Sequence, residues 1–185
     1  MTDRRPFVGA NWKMNGNAAL AADIKVSLPT VAADVVVFPP APYIADVRQH
    51  DMVAGVQNVH WATHGAYTGE ISVAMANDAG ATWALCGHSE RRTHFGETSL
   101  DCARKAQAIL DANLGLVLCI GETLDERKAG RTNAVLSAQL EPCAVQLSQA
   151  EGTRIVIAYE PVWAIGTGVT ATQDDVAAAH SHIRS

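Results

Sequence analysis

The chain has 185 residues, enough for one domain with a real core, and it is rich in aliphatics but holds only four tryptophans, three tyrosines and three phenylalanines. Fourteen basic and nineteen acidic side chains give a net charge of −5 with the signs interspersed, which argues against nucleic acid or an anionic membrane as partner and leaves room for a local positive site for a small anion. No apolar run approaches the roughly 20 residues that span a membrane, and nothing behind Met1-Thr2-Asp3-Arg4-Arg5-Pro6 resembles an apolar leader.

Short apolar runs alternate with longer helical stretches. A strand is predicted over 7–12, a helix over 18–28, a strand over 34–38, a helix over 42–49 and a strand over 52–57. Then follow a helix over 73–79, a strand over 83–87, a helix over 99–112 and a strand over 115–120. The pattern ends with a helix over 132–149, a strand over 154–160 and a helix over 173–183, for which Thr172 is the expected N-cap with Asp175 in the first turn. Each strand is a near-continuous apolar run, as in parallel strands covered on both faces.

Six strand-then-helix units leave an open doubly wound sheet or a (β/α) barrel. The glycine-rich turn that favours the first is absent; Asn11-Trp12-Lys13 stands in its place. Polar residues gather just past the strand ends: Asn11 and Lys13, Gln57 and Asn58, His88 to Arg92, Glu122 and Glu160. A barrel places its site at that end. No linker, repeat or low-complexity tract divides the chain, so one domain over 1–185 is expected. Cys86, Cys102, Cys119 and Cys143 lie far apart with no CxxC pair, which argues against a zinc motif and for small buried residues in a reducing, cytoplasmic setting. Nothing near them in sequence supports a catalytic thiol.

Glu160 ends an apolar strand and precedes Pro161, so its carboxylate is a candidate general base, although a solvated strand-end carboxylate reads equally well. In Gly87-His88-Ser89-Glu90-Arg91-Arg92, Ser89 and Glu90 begin a helical turn whose N–H groups favour a neutral His88, able to donate to a carbonyl oxygen. Glu90 with Arg91 and Arg92 reads as an ion-pair network that holds the turn. Lys13 and Asn11 offer an ammonium and an amide to an anionic substrate or an oxyanion. The run from Pro161 to Gly168 suits a lid that excludes water, or an ordinary turn before a helix.

Taken together, Asn-Trp-Lys, Gly-Ala-Tyr-Thr-Gly-Glu (65–70), Gly-His-Ser-Glu-Arg-Arg, Cys-Ile-Gly-Glu (119–122) and Tyr-Glu-Pro-Val-Trp-Ala-Ile-Gly-Thr-Gly (159–168) resemble the signatures of the triosephosphate isomerase family, in order and spacing, over residues 5–184. The resemblance implies an incomplete TIM (β/α) barrel of six βα units, open between the strands at 7–12 and 154–160. It implies interconversion of glyceraldehyde 3-phosphate and dihydroxyacetone phosphate through an enediol(ate). Glu160 is then the base, His88 the neutral electrophile and Lys13 the source of positive charge. Asn11 and Lys13 help to place the small phosphorylated triose, and Ile165 and Gly166 belong to the lid. Glu90, Ser89 and Cys119 support from behind, with Glu90 beside Lys13. No metal or organic cofactor is implied. The resemblance also implies a homodimer, in which loop 65–70, with Tyr67 and Thr68, inserts beside the partner's site near Met14.

The family's pattern continues with two further βα units that carry a Tyr-Gly-Gly-Ser segment and a glycine pair for the phosphate, and these are not among the 185 residues. Weak isomerase activity is therefore expected, the alternative being a folded, inactive dimeric remnant.

Overall fold

The computed structural model describes residues 5–28, 31–149 and 154–185. Met1 to Arg4, the start of the segment read above for a leader, lie outside the described residues. In chain order the elements are β1 (Phe7–Asn11), α1 (Leu20–Ser27), β2 (Asp34–Phe38), α2 (Ile44–Gln49), β3 (Val53–Val56), α3 (Val73–Asp78) and β4 (Ala81–Cys86). There follow α4 (Ser89–Phe95), α5 (Ser99–Asp111), β5 (Gly115–Ile120), α6 (Leu124–Lys128), α7 (Thr132–Leu140), α8 (Ala144–Gln149), β6 (Ile155–Tyr159) and α9 (Gln173–Arg184). The sheet has six strands in the order β1-β2-β3-β4-β5-β6. A doubly wound sheet reverses its strand order part-way, and this one does not.

The chain divides into two compact units, Met1–Leu85 with Ala108–Leu116, and Cys86–Gln107 with Val117–Ser185. In the first, β1 runs parallel to β2 with Phe7 opposite Asp34 and Asn11 opposite Phe38, and β2 is parallel to β3 with Val36 opposite Val53. β3 pairs with β4 across a register shift between Ala54 and Gly55. That shift sits where the Phe38 ring lies so close over Gly55 that a Cβ there would overlap it. Phe38 is fully buried beside Val36, Val37, Ala54 and Val56. Burying a side chain of that size contributes about 1.5–3 kcal/mol. Trp83 lies in the same way over Gly115, so two glycines make room for the two large rings that fill this core.

In the second unit, Val117 to Ile120 are buried throughout, and α5 turns Cys102 and Ala106 inward. Thr172 caps α9 as expected and forms a reciprocal capping box with Asp175; Thr123 and Glu126 do the same for α6. Two differences from the sequence reading have plain causes. The stretch 132–149 is two helices, because Pro142 lacks an N–H and stands in a 3-10 turn, Glu141–Cys143, between them. α6 went unread because its five residues are too few to show a helical period. The predicted strands over 52–57, 83–87 and 154–160 keep their cores but shift by one or two residues at their ends.

Candidate active site

β4 ends at Cys86, and Gly87 leaves it with φ +75, a conformation that a side chain disfavours. His88 follows as the N-cap of α4, and its own Nδ1 accepts the backbone N–H of Glu90 at 3.2 Å. A nitrogen that accepts an N–H has no proton of its own. The ring is therefore the neutral tautomer with its proton on Nε2. Nε2 stands 3.3 Å from Oε1 of Glu160. The carboxylate of Glu90 lies 3.7 Å from Nδ1, beyond hydrogen-bond range, so the amide and not the acid sets the tautomer.

Glu160 follows β6, where its N–H donates to the carbonyl of Ile120 at 2.8 Å. Its Oε2 accepts the Ser89 N–H at 3.1 Å, so both carboxylate oxygens face the turn at the head of α4. The side chains of His88 and Glu160 are only 13% and 16% exposed, which strengthens every polar interaction between them. Beneath them the Cys119 thiol is pushed well up, first by burial and then by the Glu160 charge, so it stays protonated and inert.

The arginines hold this turn from behind. Arg92 donates from Nε to the Gly87 carbonyl at 2.8 Å and from Nη1 to Ser99 Oγ at 3.1 Å. Arg91 donates from Nε to Oε2 of Glu97 at 2.8 Å, and Lys105 Nζ reaches the same oxygen at 2.8 Å. Oε1 of Glu97 accepts the Gly87 N–H at 2.9 Å. Burial works against the charge on Glu97, but Lys105, Arg91 and the Gly87 N–H outweigh it and leave its pKa below the usual carboxylate value. The sequence reading passed over Glu97 and Lys105, because neither belongs to a strand-end pattern.

A second buried carboxylate anchors the start of the expected lid. Glu122 is fully buried and accepts from Tyr159 Oη at 3.1 and 3.0 Å, Trp163 Nε1 at 2.9 Å and Thr132 Oγ1 at 3.3 Å. Burial and the Glu122 charge push the Tyr159 hydroxyl up to about 12. The Arg127 guanidinium lies over the Trp163 indole at 4.2 Å and pairs with Asp175 at the head of α9. Val162–Ala164 forms a 3-10 turn held by these contacts, whereas Ile165 is exposed and Gly166 and Gly168 have φ of +69 and +76. Between the two glycines the Thr167 hydroxyl donates back to the Trp163 carbonyl at 2.8 Å.

Asn11, Lys13, Met14, Tyr67 and Thr68 belong to the first unit. Lys13 has φ 54, rare for a residue with a side chain; Asn11 Oδ1 accepts its N–H at 2.9 Å and Gln57 Nε2 donates to its carbonyl at 2.9 Å. Such strain, held by neighbours on both sides, clusters at functional positions. The Asn11 amide oxygen thus shapes the Lys13 backbone. Met14 is 95% exposed and Tyr67 about half exposed, its ring 4.2 Å from that of His60. Thr68, next to Tyr67 in loop 65–70, is also exposed.

Sequential β-strands, each followed by helix, with a carboxylate and a neutral imidazole meeting at strand ends, define a (β/α) barrel protein equipped for proton transfer. A family model described as triosephosphate isomerase matches residues 6–185. A triosephosphate isomerase from Xanthomonas campestris pv. campestris is 46% identical over 98% of this chain and 75% of its own length. Those of Marinobacter nauticus and Emericella nidulans are 45% and 44% identical, over 98% of this chain and 75% and 76% of their own lengths. The chain belongs to the triosephosphate isomerase family, and its fold is the α/β, incomplete TIM barrel expected of it.

Proposed function

We propose that the chain interconverts glyceraldehyde 3-phosphate and dihydroxyacetone phosphate. The observation that carries this reading is the placement of His88, whose Nδ1 accepts a backbone N–H while its Nε2 stands 3.3 Å from a Glu160 oxygen. Glu160 takes the proton from the carbon beside the substrate carbonyl, and charge builds on the carbonyl oxygen. His88 meets that charge with its Nε2–H, giving the enediol(ate). Glu160 then returns the proton to the neighbouring carbon while His88 recovers a proton from the hydroxyl that becomes the new carbonyl, so protons balance and the step needs no redox partner. Lys13, held in its unusual conformation by Asn11, supplies positive charge, and residues 161–168 shield the reacting carbon from water.

The relatives are matched over about three quarters of their length. For these 185 residues by themselves we expect weak activity, because binding energy from the phosphate helps to close the lid and raises turnover as well as affinity. The second reading is a folded, inactive remnant, and one observation favours it: both oxygens of Glu160 already have partners. Isomerase assays of wild type and Glu160→Gln separate the two. Activity lost in the variant supports the enzyme, and equal background in both supports the remnant. The ratio of kcat/KM for glyceraldehyde 3-phosphate to that for unphosphorylated glyceraldehyde then measures how much phosphate grip remains.

The same reading includes a homodimer through exposed Met14, Tyr67 and Thr68, no nucleic-acid or membrane partner, and work in the cytoplasm, where four free cysteines stay reduced. Among the described residues no helix is long and apolar enough to cross a membrane. A solution mass of one chain, unchanged on dilution from micromolar concentration, overturns the dimer.

A further inference from the structure

No CxxC pair brings cysteines together along the chain, but the fold gathers distant ones. Cys86 ends β4, Cys102 lies on α5 and Glu97 sits in the loop between α4 and α5. The two sulfurs and a Glu97 carboxylate oxygen lie within 4.8 Å of one another, and all three residues are buried. Cys102 Sγ donates to Glu97 Oε1 at 3.5 Å, while Cys86 Sγ donates to the Cys102 carbonyl at 3.5 Å. The Cys102 proton thus lies between two of the three donor atoms, while the Cys86 proton points to a backbone carbonyl.

We infer that Cys86, Cys102 and Glu97 form a binding site for a thiophilic divalent cation of the zinc and cadmium kind. A tetrahedral ion with sulfur at about 2.3 Å holds two sulfurs about 3.8 Å apart, so these donors need to close by about an ångström at most. Thiolates select soft cations over magnesium or calcium. The carboxylate is already ionised, and its other oxygen is fixed by Lys105 and Arg91, as an outer ring of hydrogen bonds fixes a metal ligand.

Charge balance makes the exchange feasible in a dry site. The ion enters with two positive charges and two protons leave the thiols for solvent, so the local net charge does not change. Lys105 and Arg91 face Glu97, and Arg92, Cys119 and Cys143 stand around Cys102. The Cys86 thiol is raised well above its ordinary value, first by its hydrogen bond with Cys102 and then by burial. Both thiols must give up their protons to bind the ion, so affinity falls about a hundredfold for each pH unit of acidification, a slope of two protons per ion.

The test uses the purified 185-residue chain and Cd2+ alone. Titration should raise the ultraviolet charge-transfer band of cadmium thiolate with a midpoint that follows the two-proton slope, while Mg2+ raises none. Cys86→Ser and Cys102→Ser should each lose the band or cut the affinity at least tenfold, and Cys143→Ser should leave both unchanged. Cadmium NMR of the wild type reads the ligands without any variant, and it should show two sulfurs. A band that survives both substitutions, one that depends on Cys143, a slope of one proton or none, an oxygen-only resonance, or no binding overturns the proposal.

Discussion

One ring of His88 faces two ways: Nδ1 accepts the Glu90 amide at 3.2 Å while Nε2 faces the Glu160 carboxylate at 3.3 Å. Its tautomer is set by backbone geometry, not by the acidity of a neighbour. The first prediction concerns the reach of the base. Glu160→Asp withdraws the carboxylate by one methylene and leaves His88 in place, and a displacement of about 1 Å costs on the order of 10²-fold in turnover. Steady-state kinetics should show that fall in kcat with little change in KM, and an unaltered kcat rejects Glu160 as the base.

Glu97 is the acceptor for two buried or half-buried cations and for the Gly87 amide. Glu97→Gln leaves the Lys105 ammonium, 6% exposed, facing an amide. Loss of one partner of a buried pair costs about 3–5 kcal/mol, to be read from the denaturant midpoint in urea. The folded pKa of Glu97 is depressed, so its contribution is present above the unfolded value of about 4.5 and is lost as pH falls through the lower folded value.

Trp163→Phe keeps the ring but removes one of the N–H and O–H donors that serve fully buried Glu122. Loss of a hydrogen bond to a charged group costs about 1.5–3 kcal/mol. Tyr159 gives the same network a second readout, because its hydroxyl titrates at about 12 instead of 10. The neutral form is favoured by the fold, so this contribution is complete below pH 10 and disappears as pH rises through about 12. Ultraviolet titration of tyrosinate in wild type and Tyr159→Phe measures it.

Asp175 is held down to about 2 by the Thr172 amide and hydroxyl, with Arg127 adding to the effect. Its capping of α9 should be complete above pH 3.8 and be lost as pH falls through about 2. Circular dichroism between pH 4 and pH 2 should show wild type keeping helix that Asp175→Asn has already lost at the upper end.

Lys13→Gly separates strain from function. Removing the side chain relieves a left-handed backbone that costs a lysine roughly 1–2 kcal/mol, so stability should hold or rise. Isomerase activity should fall even so. A variant that keeps full activity removes Lys13 from the proposed chemistry.

The sequence showed best what chemistry places at strand ends. Glu160 and His88 stood out because a carboxylate and an imidazole follow apolar runs that a parallel sheet buries. Glu97 did not, since its partners Gly87 and Lys105 lie ten residues before and eight after it, and no local period links them. Glu122 was visible as a motif, but its bond to Trp163 joins residues 41 apart, and only folding creates it. Pro142 was there to be read and its break was missed. That the Asn11 amide oxygen also accepts the Lys13 N–H was not legible, because nothing in a sequence announces that Lys13 takes a positive φ.

Gly121 lies against the Glu160 main chain so closely that a Cβ there would overlap the Glu160 carbonyl. It also forms paired bonds with Gln139, whose amide accepts the Gly121 N–H at 2.8 Å and donates to the Gly121 carbonyl at 3.0 Å. The demand for glycine comes from the neighbouring chain's need for space, not from the angle of its own backbone. In a saturation library, position 121 should tolerate no replacement, even alanine, while Gly166 and Gly168, with open space around them, accept side chains at the cost of their positive φ alone. The aim of the base is thus written into a residue with no side chain, and a scan confined to charged and polar positions would never find it.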